Sequence, residues 1–224
     1  MCRDNAPKER QRRQLERKLN QRASYDRILI VSEGSKTEPN YFGEIRAAYR
    51  LHTANVIVRP SELGTAPIQV VQYAEALFRH GDRHRRILPR AFEQVFAVFD
   101  RDDHDSYFDA LSLAEMLDGT LRNDARRPIR FRAIASVPSF ELWLLLHYED
   151  VLAPMHRDEV LRRLRLRFPG YYKGAADAYA VTREKLDKAM RRVEALASQY
   201  TAHDAPEPYT AIGDLVKVLR GLRG

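Results

Sequence analysis

The chain has 224 residues, 44% hydrophobic and 9% aromatic, enough to bury a substantial core and to exclude both global disorder and a need for disulfide staples. Its single cysteine, Cys2, lies in a polar leader, which excludes an intramolecular disulfide or a Cys-rich zinc site and fits a reducing, cytoplasmic compartment. The 38 Lys+Arg against 31 Asp+Glu leave a net charge of +7 that favours a polyanionic partner. No apolar run approaches the roughly 20 residues of a membrane span, and none follows the charged N-terminus as in a secretory signal, so the chain reads as soluble, without a membrane partner and not exported.

Residues 1–25 carry Lys8, Arg10, Arg12, Arg13, Arg17, Lys18 and Arg22 with little apolar content, and read as a basic N-terminal arm outside the core. Arg27-Ile-Leu-Ile-Val-Ser32 follows as a strand buried on both faces. A polar turn from Glu33 to Lys36 leads to Thr37, a good N-cap, with Pro39 tolerated in the first turn. Tyr41, Phe42, Ile45, Ala48 and Tyr49 then keep helical spacing up to about Arg50. The same reading gives a strand over 55–59, an amphipathic helix over 67–80, a dense strand over 94–99, a helix over 108–117 and a strand over 129–135. Strands alternating with helices predict an α/β fold, a mostly parallel sheet flanked by crossover helices.

From Ser139 onward the pattern turns helical. Ser139 is placed to cap an almost wholly apolar, buried helix over 140–147, and further helices are expected over 156–167, 176–199 and 211–222. The segments Phe168–Gly174 and His203–Pro208 read as breakers and exposed linkers. The expected organisation is a basic arm over 1–25, a core over 26–150, and a helical C-terminal extension over 151–224 packed on that core.

Ligands of open parallel sheets sit outside the carboxyl ends of the strands. Glu33 follows the first dense strand, and Asp100 and Asp102 follow another. Three converging carboxylates suit Mg²⁺ or Mn²⁺, hard cations that take carboxylate, water and phosphate oxygens. Side chains two apart in an extended segment project to one side, which would let Asp100 and Asp102 reach one ion. Against this stands the reading of all three as turn-forming acids. Two other ligand motifs fail: an EF-hand would need glycine where Asp105 stands and glutamate where Leu111 stands, and Gly34-Ser-Lys-Thr37 lacks the glycine spacing of a phosphate-binding loop. His104 lies among the acids as an outer-shell group, a proton shuttle or a solvated loop residue; His80 and His84 read as surface. Glu141, opening the apolar helix, is a candidate further metal ligand or a partner that supports the ligands from behind, or else an acid complementing the helix dipole. Lys36, at a helix start beside Glu33, and Lys173, in a loop, are candidates to meet phosphate.

Three ordered motifs carry a resemblance: Ile28 to Phe42 with Glu33-Gly-Ser-Lys-Thr-Glu38, Val95 to His104 with Asp100-Arg-Asp102, and Ser136 to His147 with Ser-Phe-Glu141-Leu-Trp. Together they resemble the RloB family, and Tyr171-Tyr-Lys173-Gly and Pro208 to Val216 extend the likeness toward the C-terminus. The resemblance implies a Toprim-like core in which one glutamate after the first strand and an Asp-x-Asp pair after a later one fall on Glu33, Asp100 and Asp102. It also implies a role in phage defence by abortive infection, beside an RloA-like ATPase partner. The long arginine-rich arm before Arg27 departs from that pattern, and the resemblance implies no function for it. The expected activity is Mg²⁺- or Mn²⁺-dependent hydrolysis of DNA or RNA, with Glu33, Asp100 and Asp102 catalytic. No tyrosine accompanies the carboxylates for a topoisomerase reaction, and the length leaves no room for strand-passing or priming modules. The alternative is a non-catalytic, Toprim-shaped nucleic-acid-binding or sensor module; a homo-oligomer is open in either case.

Overall fold

The computed structural model describes residues 25–102 and 104–222, so the basic arm and Cys2 lie outside the described residues. The β-branched runs become strands buried on both faces. β1 (Ile28–Ser32) is buried throughout, and β3 (Gln94–Asp100) is buried from Val95 onward. β1 pairs in parallel with β2 (Val56–Pro60) on one side and with β3 on the other. β4 (Arg130–Val137) extends the parallel sheet beyond β3, and the two-residue β5 (Tyr209–Thr210) adds an antiparallel edge. The resulting order is β2-β1-β3-β4-β5.

Helices α1 (Thr37–Ala48), α2 (Pro67–His80) and α3 (Tyr107–Leu117) make the crossovers. Because strand side chains alternate, Ile28, Ile30, Phe96 and Val98 pack toward α1, whereas Leu29, Val31, Val95, Ala97 and Phe99 pack toward α2 and α3. The remaining helices, α4 (Glu141–Leu145), α5 (Arg157–Arg167), α6 (Ala178–Thr182), α7 (Leu186–Ala197) and α8 (Ile212–Gly221), join the α1 side of the sheet. Trp143 anchors that side. It is fully buried and donates its indole N–H to Tyr41 Oη at 2.7 Å. The chain leaves β1 toward β2 and returns past it to β3, so a topological switch point, the usual place for a ligand crevice in such sheets, lies at the carboxyl ends of β1 and β3.

Several local expectations differ from the structure. Lys36, not Thr37, occupies the N-cap of α1; the Thr37 hydroxyl accepts the Gly174 N–H at 2.8 Å instead. The helix expected over 140–147 is the five-residue α4, and Ser139 donates to the Glu141 carboxylate rather than capping the backbone. The helix expected over 176–199 is interrupted by a 3-10 turn, Arg183–Lys185. Thr182 donates its hydroxyl to the Ala178 carbonyl at 2.6 Å just before the interruption. The buried positions Tyr179, Thr182, Leu186, Ala189 and Val193 keep near-helical spacing across it, which is why the pattern reads as continuous. The loop 168–174 is not simply an exposed linker, since Tyr171 is buried.

Candidate functional site

Two central strands deliver acids to one crevice. The Glu33 N–H still donates to Val98 O across the sheet at 2.9 Å, so Glu33 leaves β1 beside the end of β3. Its carboxylate accepts the backbone N–H of Asp100 at 3.0 Å. Past the end of β3 the backbone turns: Asp102 takes φ +37°, with its N–H on Pro138 O at 3.2 Å. The left-handed turn, not an extended Asp-x-Asp, therefore aims Asp102, and it separates Asp102 from Asp100.

Glu33, Asp102 and His104 each offer a donor atom, and these atoms lie within 4.8 Å of one another. Asp102 Oδ2 accepts from Arg157 Nη1 at 2.9 Å, while Asp102 Oδ1 is buried with no hydrogen-bond partner among the described residues. A buried, unpaired carboxylate oxygen is costly, and a hard cation satisfies it. The two carboxylates, with such an oxygen, suit a hard cation such as Mg²⁺ or Mn²⁺, whereas an imidazole is the usual ligand of softer ions, so His104 fits a Mg²⁺ site only from outside the ion's own ligand set.

Behind this cluster lies a second, more buried group of acids. Asp100 is 8% exposed, Glu38 5% and Glu141 2%. Burial, then the charges of Glu38, Glu33 and Glu141, hold the Asp100 carboxyl well above the usual carboxylate range. Burial pushes Glu33 up to about 7, opposed by the Asp100 N–H and reinforced by Asp102. Glu38 is likewise raised to about 7, first by burial and then by Glu33 and Glu141. Glu141 is held on several sides: Ser139 Oγ donates to Oε2 at 2.8 Å, Tyr171 Oη donates to Oε1 at 3.1 Å, and Lys173 Nζ stands 3.7 Å from Oε2.

The loop carrying Tyr171 and Lys173 is strapped to α1. Asn40 Nδ2 donates to Gly174 O at 3.2 Å, and the Glu44 carboxylate accepts the N–H groups of Asp177, Tyr179 and Ala180. Gly174 has φ +83°, and a Cβ there would stand 3.0 Å from the Lys36 stem, so Lys36 lies along this loop. Lys173 touches Glu141 and also counters the charge of Glu33.

Of the four acids expected to share a metal, the structure brings Glu33 and Asp102 into common reach and adds His104. Asp100 and Glu141 fall in the adjoining buried group. That group contains Glu38, which the sequence reading did not single out. The available signal was its place on the buried stripe of α1: Glu38, Tyr41, Phe42 and Ile45 are spaced i, i+3, i+4, i+7, an acid where an apolar residue belongs.

An open, mostly parallel α/β sheet with an acidic crevice at its switch point defines the structural class. Within it, the chain belongs to the RloB-like family, whose model, described as RloB-like protein, matches residues 28–219. Comparison with curated proteins gave no match, and comparison with solved structures gave none either. Among the described residues, no helix is long and apolar enough to cross a membrane.

Proposed function

We propose that this chain is a Mg²⁺- or Mn²⁺-dependent phosphodiesterase of Toprim type acting on DNA or RNA. The observation that carries the reading is the meeting of Glu33, Asp102 and His104 donor atoms within 4.8 Å at the switch point, beside a buried Asp102 oxygen with no hydrogen-bond partner among the described residues. A divalent cation bound there would polarise a phosphoryl oxygen and stabilise charge on the leaving oxygen. Glu33 would either share the cation or, left outside its ligand set, take a proton from an attacking water, a role to which burial suits it by raising its pKa to about 7. Arg157 orients Asp102, and Ser139, Tyr171 and Lys173 fix Glu141 so that it does not swing into the crevice. Lys36 and Lys173, on the adjoining loops, are suited to meet flanking phosphates. Family membership supports an effector role in anti-phage abortive infection in the cytoplasm, beside an RloA-like ATPase partner.

The test is cleavage of DNA and RNA by the purified chain in MgCl₂, in MnCl₂ and in EDTA. The expected result is cation-dependent cutting that Glu33→Gln and Asp102→Asn each reduce by about 10²-fold or more, within the range for loss of a positioned acid–base group. Activity that survives both substitutions overturns the site. Metal-indifferent, salt-sensitive binding with no cutting by the chain, alone or with the ATPase, favours the non-catalytic module instead.

A further inference from the structure

We propose that a cavity beside Asp102 receives one unpaired nucleotide of the substrate strand, so that the protein engages single-stranded or locally unpaired nucleic acid in preference to continuous duplex. The inference rests on the phosphodiesterase reading for its orientation, and on the cavity itself for its chemistry. The cavity measures about 280 Å³, and Asp102 forms part of its wall. The side chain that meets Glu33 and His104 on one side therefore borders this space on another.

The remaining walls come from separate parts of the chain. Pro138 follows β4, Pro154 and Met155 precede α5, and Pro206 precedes β5. Three prolines have no N–H to offer and present flat, apolar ring faces. Met155 adds a polarisable thioether, which packs well against aromatic rings. Two guanidinium groups, Arg101 and Arg157, line the same space, together with the His156 ring, whose Nδ1 accepts the Asp158 N–H at 3.3 Å. Apolar faces with guanidinium groups close by suit a planar heteroaromatic ring attached to phosphate, Arg101 facing the ligand and Arg157 contributing its planar face while it stays paired with Asp102. A lipid chain would not use the cations, and an acidic peptide would not use the proline and methionine faces.

Size and access set the strandedness. The volume lies just below the roughly 300–1,000 Å³ of drug-sized sites, which suits one base rather than a base pair. A base within a duplex has its faces covered by neighbours and its edge by its partner. Only an unpaired or extruded base can offer its faces to the walls. The walls are also preformed. Arg101 N–H donates to Ser136 O at 2.9 Å, Asp102 N–H to Pro138 O at 3.2 Å, and Arg157 reaches Asp102 at 2.9 Å, tying three of the contributing segments together.

The test uses the full chain carrying Glu33→Gln, so that binding is read apart from cutting. Oligonucleotides with one 2-aminopurine are presented single-stranded, as a perfect duplex and as a one-base bulge. Binding at least tenfold tighter to the single strand and the bulge than to duplex, with a change in 2-aminopurine fluorescence, is expected. Adding Met155→Trp, which places a larger side chain in the cavity, should erase that preference. Photocrosslinking of 5-iodouracil oligonucleotides to the chain without Met155→Trp should map to residues 154–157, a readout independent of how that variant folds. Equal binding to all three forms, no binding to any, or crosslinks mapping elsewhere overturns the proposal. Competition by a free nucleoside monophosphate as strong as by the strand also overturns it, because the ligand is then a free nucleotide. If the wild-type chain cuts nothing while the preference and the crosslinks hold, hydrolysis fails and the pocket stands. Equal cutting of duplex and single strand without crosslinks in the cavity refutes the pocket and leaves hydrolysis intact.

Discussion

Asp100 concentrates the electrostatic tension of the crevice. Its carboxyl is buried at the end of a central strand, with Glu33, Glu38 and Glu141 all disfavouring its charge. Such a group resists ionisation, and a cation bound in the adjoining cluster would supply compensating charge. Asp100→Asn keeps the shape and removes the acid, so it separates stability from function. In EDTA at pH 8 the variant is expected to melt higher than the parent, by about 2–4 °C for each kcal/mol recovered. Added MgCl₂ should stabilise it less than it stabilises the parent, and cation-dependent cleavage should be lost. Thermal denaturation across a MgCl₂ series measures the first two effects. A lower melting temperature in EDTA would mean that Asp100 is held by bonds an amide cannot reproduce, and would remove the case for a repelled acid.

The unit β1, turn and α1 shows how an element sets such tension. A Cβ at Gly34 would lie 2.1 Å from Glu38 Oε2, so the glycine leaves the space that lets the carboxylate fold back over the turn. The atom in the way is the far end of a flexible side chain, which can move. Gly34→Ala is therefore expected to fold with little loss of melting temperature while shifting Glu38 and weakening Mg²⁺ binding tenfold or more, measured by isothermal titration. Unchanged binding would show that Glu38 takes no part in holding the cation. The strands and crossover helices of this unit were legible because β-branched runs and the Tyr41, Phe42, Ile45 stripe carry the two periods directly. Glu38 was visible on the same stripe. The partners of Glu141 were not: Ser139 reaches it through a local turn, and Tyr171 from 30 positions away through a loop whose composition suggests exposure. The turn at Asp102 was equally hidden, since nothing in Asp-Arg-Asp marks where the strand ends. A two-residue strand such as β5 is too short to carry alternation at all.

At the scale of the molecule, the raised acids couple folding to pH. Glu33 and Glu38 move from ordinary glutamate values to about 7, and Asp100 moves well above its own. The folded chain then holds protons that the unfolded chain has released, so their stabilisation is complete below the ordinary carboxylate range and is lost as pH rises through about 7. His147 acts in the opposite sense. Burial lowers its pKa to about 4, so from its ordinary value of about 6.5 downward the unfolded chain takes up a proton that the folded chain refuses. Glu93 is lowered, with Arg27 as its ion-pair partner, and loses its contribution only at more acid pH. Between pH 6.5 and 8.5 the raised acids therefore dominate. In EDTA the melting temperature is expected to fall across that window by on the order of 5 °C, each kcal/mol lost appearing as about 2–4 °C. Saturating MgCl₂ should flatten the slope, because the cation supplies the charge that the departing protons had supplied, and the stabilisation by Mg²⁺ should grow with pH. Melting curves in both conditions at several pH values decide it. A flat EDTA profile, or a Mg²⁺ effect independent of pH, would mean that cation and protons do not compete for this buried acidic group.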